Sequence, residues 1–104
     1  MAKAKINAGV CGFVTEVETE SDDLQNVTIR IQTQCPSLKP LEKEPIEVDG
    51  FVECFGKVGE GEVFSQCRKY CKHAACPVPT GIIKAVEVAC ELALPKDADI
   101  EISK

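Results

Sequence analysis

The stretch FVTEVETESDDLQNVTIRIQT, residues 13–33, decides how this chain folds. Phe13, Thr15, Val17 and Thr19 share one parity, and Glu16, Glu18 and Glu20 take the other. A period of two marks a strand with one face buried and one face wet. Ser21, Asp22 and Asp23 are turn residues. The pattern then resumes, with Val27, Ile29, Ile31 and Thr33 inward and Arg30, Gln32 and Gln34 outward. Two such runs around a short polar turn predict an antiparallel hairpin. A turn centred near Asp23 sets Val17 opposite Ile29, Phe13 opposite Thr33 and Cys11 opposite Cys35. A slip of two residues would preserve these faces, whereas a bulge at Gly12 would turn Cys11 away.

Working outward, Lys3–Ala8 alternates, with Ala4, Ile6 and Ala8 on one side. Downstream, Pro36, Pro40 and Pro45 break the chain, and Leu38 and Leu41 suit a short helix from about Ser37. Asp49 is an expected N-cap for a helix carrying Phe51, Cys54, Phe55 and Val58 inward. Val63–Lys72 reads as a helix with Phe64, Cys67 and Cys71 on one stripe. Cys76-Pro77-Val78-Pro79 reads as extended. Thr80 then caps a helix over 81–93, with Ile82, Ile83, Val86, Ala89, Cys90 and Ala93 inward. Ala98, Ile100 and Ile102 alternate with Asp99, Glu101 and Ser103 as a last strand, expected to pair with Lys3–Ala8. The expected fold is one α+β domain over residues 1–104. It has a small, mainly antiparallel three-stranded sheet, in the order β-β-α-α-α-β, with helices on one face.

Composition narrows the functions. The chain has 104 residues, seven cysteines and a formal net charge of −5. An acidic domain without Trp and with one Tyr is a poor ligand for phosphate backbones, so no nucleic-acid partner is expected. No apolar run is long enough to span a membrane. The N-terminal residues carry lysines without an apolar core of a signal peptide. The expected compartment is the cytoplasm, where thiols stay reduced. A protein partner or a homo-oligomer is compatible with this surface. Charge is uneven. Val63–Val86 holds Arg68, Lys69, Lys72 and Lys84 and no acid, together with three cysteines and the only histidine. That field would favour thiolates or an anionic cluster, although a solvated helix face explains it equally well.

In a reducing compartment, clustered cysteines read as metal ligands, redox centres or core residues. Cys11 and Cys35 fall at one end of the expected hairpin, Cys71 at a helix end, and Cys76 in a proline-fixed loop. These four are the candidate ligands, with Cys67 and His73 as alternates. Four thiolates suit tetrahedral zinc or an iron–sulfur cluster. The spacing is not diagnostic, because there is no C-x2-C pair. Cys54, Cys67 and Cys90 fall on apolar helical stripes, where cysteine behaves as a small hydrophobe. His73 at a helix C-terminus can simply oppose the helix dipole. No G-x-S-x-G motif or H-E-x-x-H pair is present, so no catalytic residue is assigned and an enzyme is not the expected class.

The motifs Ala8-Gly9-Val10-Cys11-Gly12-Phe13, Cys35-Pro36 and Cys71-Lys72-His73-Ala74-Ala75-Cys76-Pro77-Val78-Pro79 resemble a small cysteine-bearing family of anaerobic bacteria and archaea. That family is a domain of unknown function, so the resemblance implies no activity. An anaerobic setting implies metal or cluster ligation over structural disulfides. The expected function is a small metal-binding module with an accessory or sensor role. The alternatives are a thiol–disulfide redox protein and an interaction domain whose cysteines are buried for packing alone.

Overall fold

The computed structural model describes all 104 residues. Its strands are β1 (Ala2–Asn7), β2 (Val14–Glu20), β3 (Asn26–Thr33) and β4 (Ile46–Asp49). A 3-10 helix spans Pro36–Glu42. The α-helices are α1 (Gly50–Phe55), α2 (Glu62–Tyr70) and α3 (Val78–Ala89). The strands form one antiparallel sheet in the order β1-β2-β3-β4.

The α+β class stands, but the expected three-stranded sheet is corrected to four strands. β4 escaped the periodicity because it has only four residues and follows Pro45. The expected C-terminal strand does not form in the chain: residues 91–104 are exposed and lie outside every helix and strand. Lys3–Ala8 pairs with β2 instead.

The central hairpin has the expected faces, with Thr15, Val17, Thr19, Val27, Ile29, Ile31 and Thr33 all buried. Its register is two residues from the expected one, with Val17 opposite Ile31 and Thr15 opposite Thr33. The turn explains the difference. The Asp23 carboxylate accepts from the backbone N–H groups of Gln25 (3.0 Å) and Asn26 (2.8 Å), and Leu24 takes φ 63°. This Asx-type closure centres the turn on Leu24 rather than Asp23. The same two N–H groups are the main reason the Asp23 carboxyl is held down at about 2.

All helices cover one face of the sheet. α3 packs on β1 and β2, the 3-10 helix on β3, and α1 and α2 against α3. Ile82, Ala85, Val86 and Ala89 form the inward stripe of α3. This helix starts at Val78, not Gly81, which corrects the extended reading of Pro77–Pro79. Prolines sit in its first turn, where the missing N–H has no helical partner to lose. Asp49 caps α1 as expected, accepting from Phe51 N–H (2.9 Å) and Val52 N–H (3.3 Å). The inward stripe of α1 differs from expectation: Phe51 and Phe55 are exposed and stacked on each other, whereas Gly50 and Glu53 are buried.

Two contacts fix α3 lengthwise on the sheet. The Thr19 hydroxyl donates to the Ala85 carbonyl at 2.9 Å. One turn earlier in the helix, a Cβ at Gly81 would collide with Cγ1 and Cδ1 of Ile6. Gly81→Ala should therefore destabilise the fold despite alanine's better helix propensity. Overpacking against a buried isoleucine costs about 1–3 kcal/mol, against a propensity gain of about 1 kcal/mol. Urea unfolding followed by circular dichroism would measure the lowered midpoint.

Candidate functional site

The path of α3 sorts the cysteines. Its C-terminal end brings Cys90 against Gly50 and Val27, near Gln25 of the β2–β3 turn. Cys54 on α1 feels Cys90 and Glu87, so this pair belongs to that end of the molecule. The N-terminal end of α3 lies over Ile6, the penultimate residue of β1. There the β1–β2 turn, the exit of β3 and the 71–77 loop come together.

Cys35 stands just beyond β3, half-buried against the core. The register of the central hairpin, continued past Thr15 and Thr33, brings it beside Phe13 rather than Cys11. A polar ladder places it. Thr15 and Thr33 hydroxyls are 2.7 Å apart, and Thr33 Oγ1 accepts from the Cys35 N–H at 3.1 Å. The Glu42 carboxylate accepts from the Thr33 N–H at 2.7 Å, holding the 3-10 helix against the edge that β4 does not reach. That N–H lowers the Glu42 carboxyl, with a smaller contribution from Lys39.

Cys67 is buried on α2, and Cys71 closes that helix with its N–H on the Cys67 carbonyl at 2.7 Å. The next turn wraps around one oxygen. His73 O accepts from the Cys71 thiol at 3.3 Å and from the Cys76 N–H at 3.2 Å. The His73 side chain belongs to an exposed residue, so its part in this geometry is played by its carbonyl. Cys76 then leads into α3, where the Val78 N–H of the first helical turn lies on the side that favours its thiolate.

Cys76 is near enough to feel Cys71 and Cys35 electrostatically, and Cys67 feels Cys71 and Cys76. Burial, then Cys71 and Cys76, push Cys67 up to about 12. Burial also raises Cys76, as do Cys71 and Cys35, while the Val78 N–H pulls it down. Away from this group, burial first and Glu87 next push Cys54 up to about 11. Cys11 lies on the β1–β2 turn, exposed, between Gly9 and Gly12 with φ of +90° and +75°. Of the four candidate ligands, Cys35, Cys71 and Cys76 thus lie half-buried at one end of the sheet, and Cys11 stands on the adjacent turn. Cys67, an alternate in the sequence reading, joins them. No three histidine, cysteine, aspartate or glutamate side chains form a ready-made cage for an ion.

A residue the sequence reading passed over sets α2 in place. Glu53 on α1 is only 6% exposed. Its carboxylate accepts from Glu62 N–H (2.9 Å) and Val63 N–H (2.7 Å), the unpaired donors of the α2 N-terminus. Gly61, with φ +99°, leaves room for it, since a Cβ there would press on the carboxylate. Along α2, a shallow groove of about 360 Å³ includes Glu62, Gln66, Tyr70 and Pro40 but none of the cysteines. No helix is long and apolar enough to cross a membrane.

Fold and site together define a small α+β domain with a thiol cluster at one end of its sheet. Residues 2–102 match a family of unknown function (DUF6951), and the chain belongs to that family. No curated protein and no solved structure matches it.

Two outcomes follow from these placements. Glu53→Ala leaves two helix-terminal donors without their acceptor and should cost about 1–3 kcal/mol, read as a lower urea midpoint. The raised thiols predict an alkaline loss of stability. Above the usual thiol value of 9.0 the unfolded chain releases protons that folded Cys67 and Cys54 retain. Stability is therefore fully present below about pH 9 and falls as pH rises toward the folded values. Unfolding midpoints across this range should fall less steeply in Cys67→Ala than in the native chain.

Proposed function

We propose that this protein is a small metal-binding module whose thiolates hold zinc or an iron–sulfur cluster, with an accessory or sensor role in a reducing cytoplasm. Cys35, Cys71 and Cys76 are the proposed core ligands. The fourth is Cys67, by adjacency, or Cys11, by the end of the sheet it shares. The observation that carries the reading is the gathering of thiols from three separate parts of the chain at one end of the sheet. The anaerobic setting implied by the sequence resemblance suits the same chemistry.

The thiol shifts support metal over disulfide exchange. An exchange-active cysteine needs a lowered pKa to be a thiolate near neutral pH. Cys67 and Cys76 are displaced the other way, by burial and by neighbouring sulfur. A cation would reverse that balance, because each thiolate that is costly alone becomes favourable beside it. The Val78 N–H, which favours the Cys76 thiolate, is the kind of nearby donor that tunes a metal-bound sulfur. With no ready-made cage, binding must draw in the 71–77 loop, so metal uptake and ordering of this loop are coupled.

Anaerobic titration of the reduced full chain with Co(II) tests this. Thiolate-to-cobalt charge-transfer bands and tetrahedral visible bands should appear and be displaced by Zn(II). Cys35→Ser, Cys71→Ser and Cys76→Ser should each weaken binding roughly tenfold or more. Cys54→Ser and Cys90→Ser should leave it unchanged. Comparing Cys11→Ser with Cys67→Ser identifies the fourth ligand. Absence of thiolate bands, together with no iron or zinc in anaerobically purified protein, would overturn the reading.

A further inference from the structure

The C-terminal segment carries strand chemistry with no strand to join in its own chain. Ala98, Ile100 and Ile102 alternate with Asp97, Asp99, Glu101 and Ser103. Ile100 and Ile102 are 81% and 90% exposed. The last backbone hydrogen bond of the chain runs from Leu92 N–H to Glu87 O, and nothing beyond it is paired. Exposing alternate isoleucines to water is unfavourable, and the water-solvated backbone beside them is free to join a ladder. Residues 97–102 also lie within the stretch that matches the family, so the segment is part of the shared domain.

The sheet has an open edge that fits this segment. β1 is an end strand, bonded only to β2. Its helix-side residues Ala2 and Ile6 are buried and Ala4 partly so, whereas Lys3 and Lys5 are exposed on the opposite face. A strand laid along β1 would set an apolar row beside Ala2, Ala4 and Ile6, and an acidic row beside Lys3 and Lys5. Residues 97–103 present those two rows. β2 already places Glu18 and Glu16 opposite Lys3 and Lys5, so an incoming acidic row would put each lysine between two lines of carboxylates.

We infer that residues 97–103 of one copy add as a fifth strand to the β1 edge of a second copy. The exchange is reciprocal, giving a symmetric dimer closed by two equivalent strand additions. It closes both exposed β1 edges, which otherwise invite open-ended pairing.

Light scattering on full-length protein, over a range of concentrations, tests the inference through charge swaps. Native protein should be dimeric. Lys3→Glu with Lys5→Glu, and separately Asp99→Lys with Glu101→Lys, should each weaken self-association roughly tenfold or more, because like charges then face each other in both contacts. Mixing the two variants should restore a heterodimer, since every contact is again complementary. Ile100→Asp with Ile102→Asp, which leaves the body of the domain untouched, should be monomeric. Amides of 98–102 should be protected from exchange only in the dimer. A native protein that is monomeric throughout would overturn the inference. So would an isoleucine double variant that dimerises like the native chain, or amide protection of 98–102 in the monomer.

Discussion

Everything in this molecule is referred to the seating of α3 on the sheet. Gly81 lets the helix approach Ile6, and the Thr19 hydroxyl meets the Ala85 carbonyl one turn further on. One helical turn separates residues 81 and 85, so the two contacts define a line rather than a point. The helix cannot slide or rotate without losing a buried hydrogen bond or overlapping a buried side chain. Its two ends are thereby assigned to the two ends of the sheet.

That assignment separates seven cysteines into chemically different populations. Cys90 and Cys54 lie at the end with the Asp23 turn and Asp49, whose carboxylates make a thiolate at Cys90 still less favourable than burial alone does. Cys35, Cys67, Cys71 and Cys76 lie at the end where α3 begins, and the Val78 N–H of its first turn favours the Cys76 thiolate. Burial disfavours the thiolate at both ends, helped by carboxylates at one and by neighbouring thiols at the other, where the Val78 N–H acts in the opposite sense. The positive island of Arg68, Lys69 and Lys72 belongs to this second end, through α2 and the residues just after it.

The sequence was most legible where a side chain's face is set by local period. The parity of β2 and β3, the Asp49 cap and the Ile82, Val86 and Ala89 part of the α3 stripe could be read directly, because strand and helix geometry dictate them, whereas the helix ends at Ala89 and leaves Ala93 exposed beyond it. Registers and partners were not local. The Asx closure at Asp23 shifted the hairpin by two residues, which moved Phe13 beside Cys35 in place of Cys11. Glu53 was invisible for a similar reason. A carboxylate on a six-residue helix reads as a solvent-facing charge until the donors of a second helix, nine residues along the chain, are brought onto it. Its burial is what swings Phe51 and Phe55 outward, reversing the expected stripe. For Cys67 the apolar stripe predicts packing and its place one turn before Cys71 makes it an alternate ligand; it is buried as that stripe requires, and it feels Cys71 and Cys76 electrostatically.

The C-terminal segment shows the limit of periodicity most clearly. Alternation states that a segment can be a strand with one wet face, but it carries no information on which edge receives it. A cis pairing also has to close the chain from the end of α3 back to β1. Here α3 ends at Ala89 with Cys90 as its cap, and Glu91 takes φ 57°, redirecting the chain as it leaves the helix. An edge on another copy imposes no such closure within the chain. It demands only that apolar and charged rows match, and β1 with Lys3 and Lys5 supplies both. The pattern written into residues 97–103 is then satisfied by association, at the concentration cost that any dimer carries, instead of by folding.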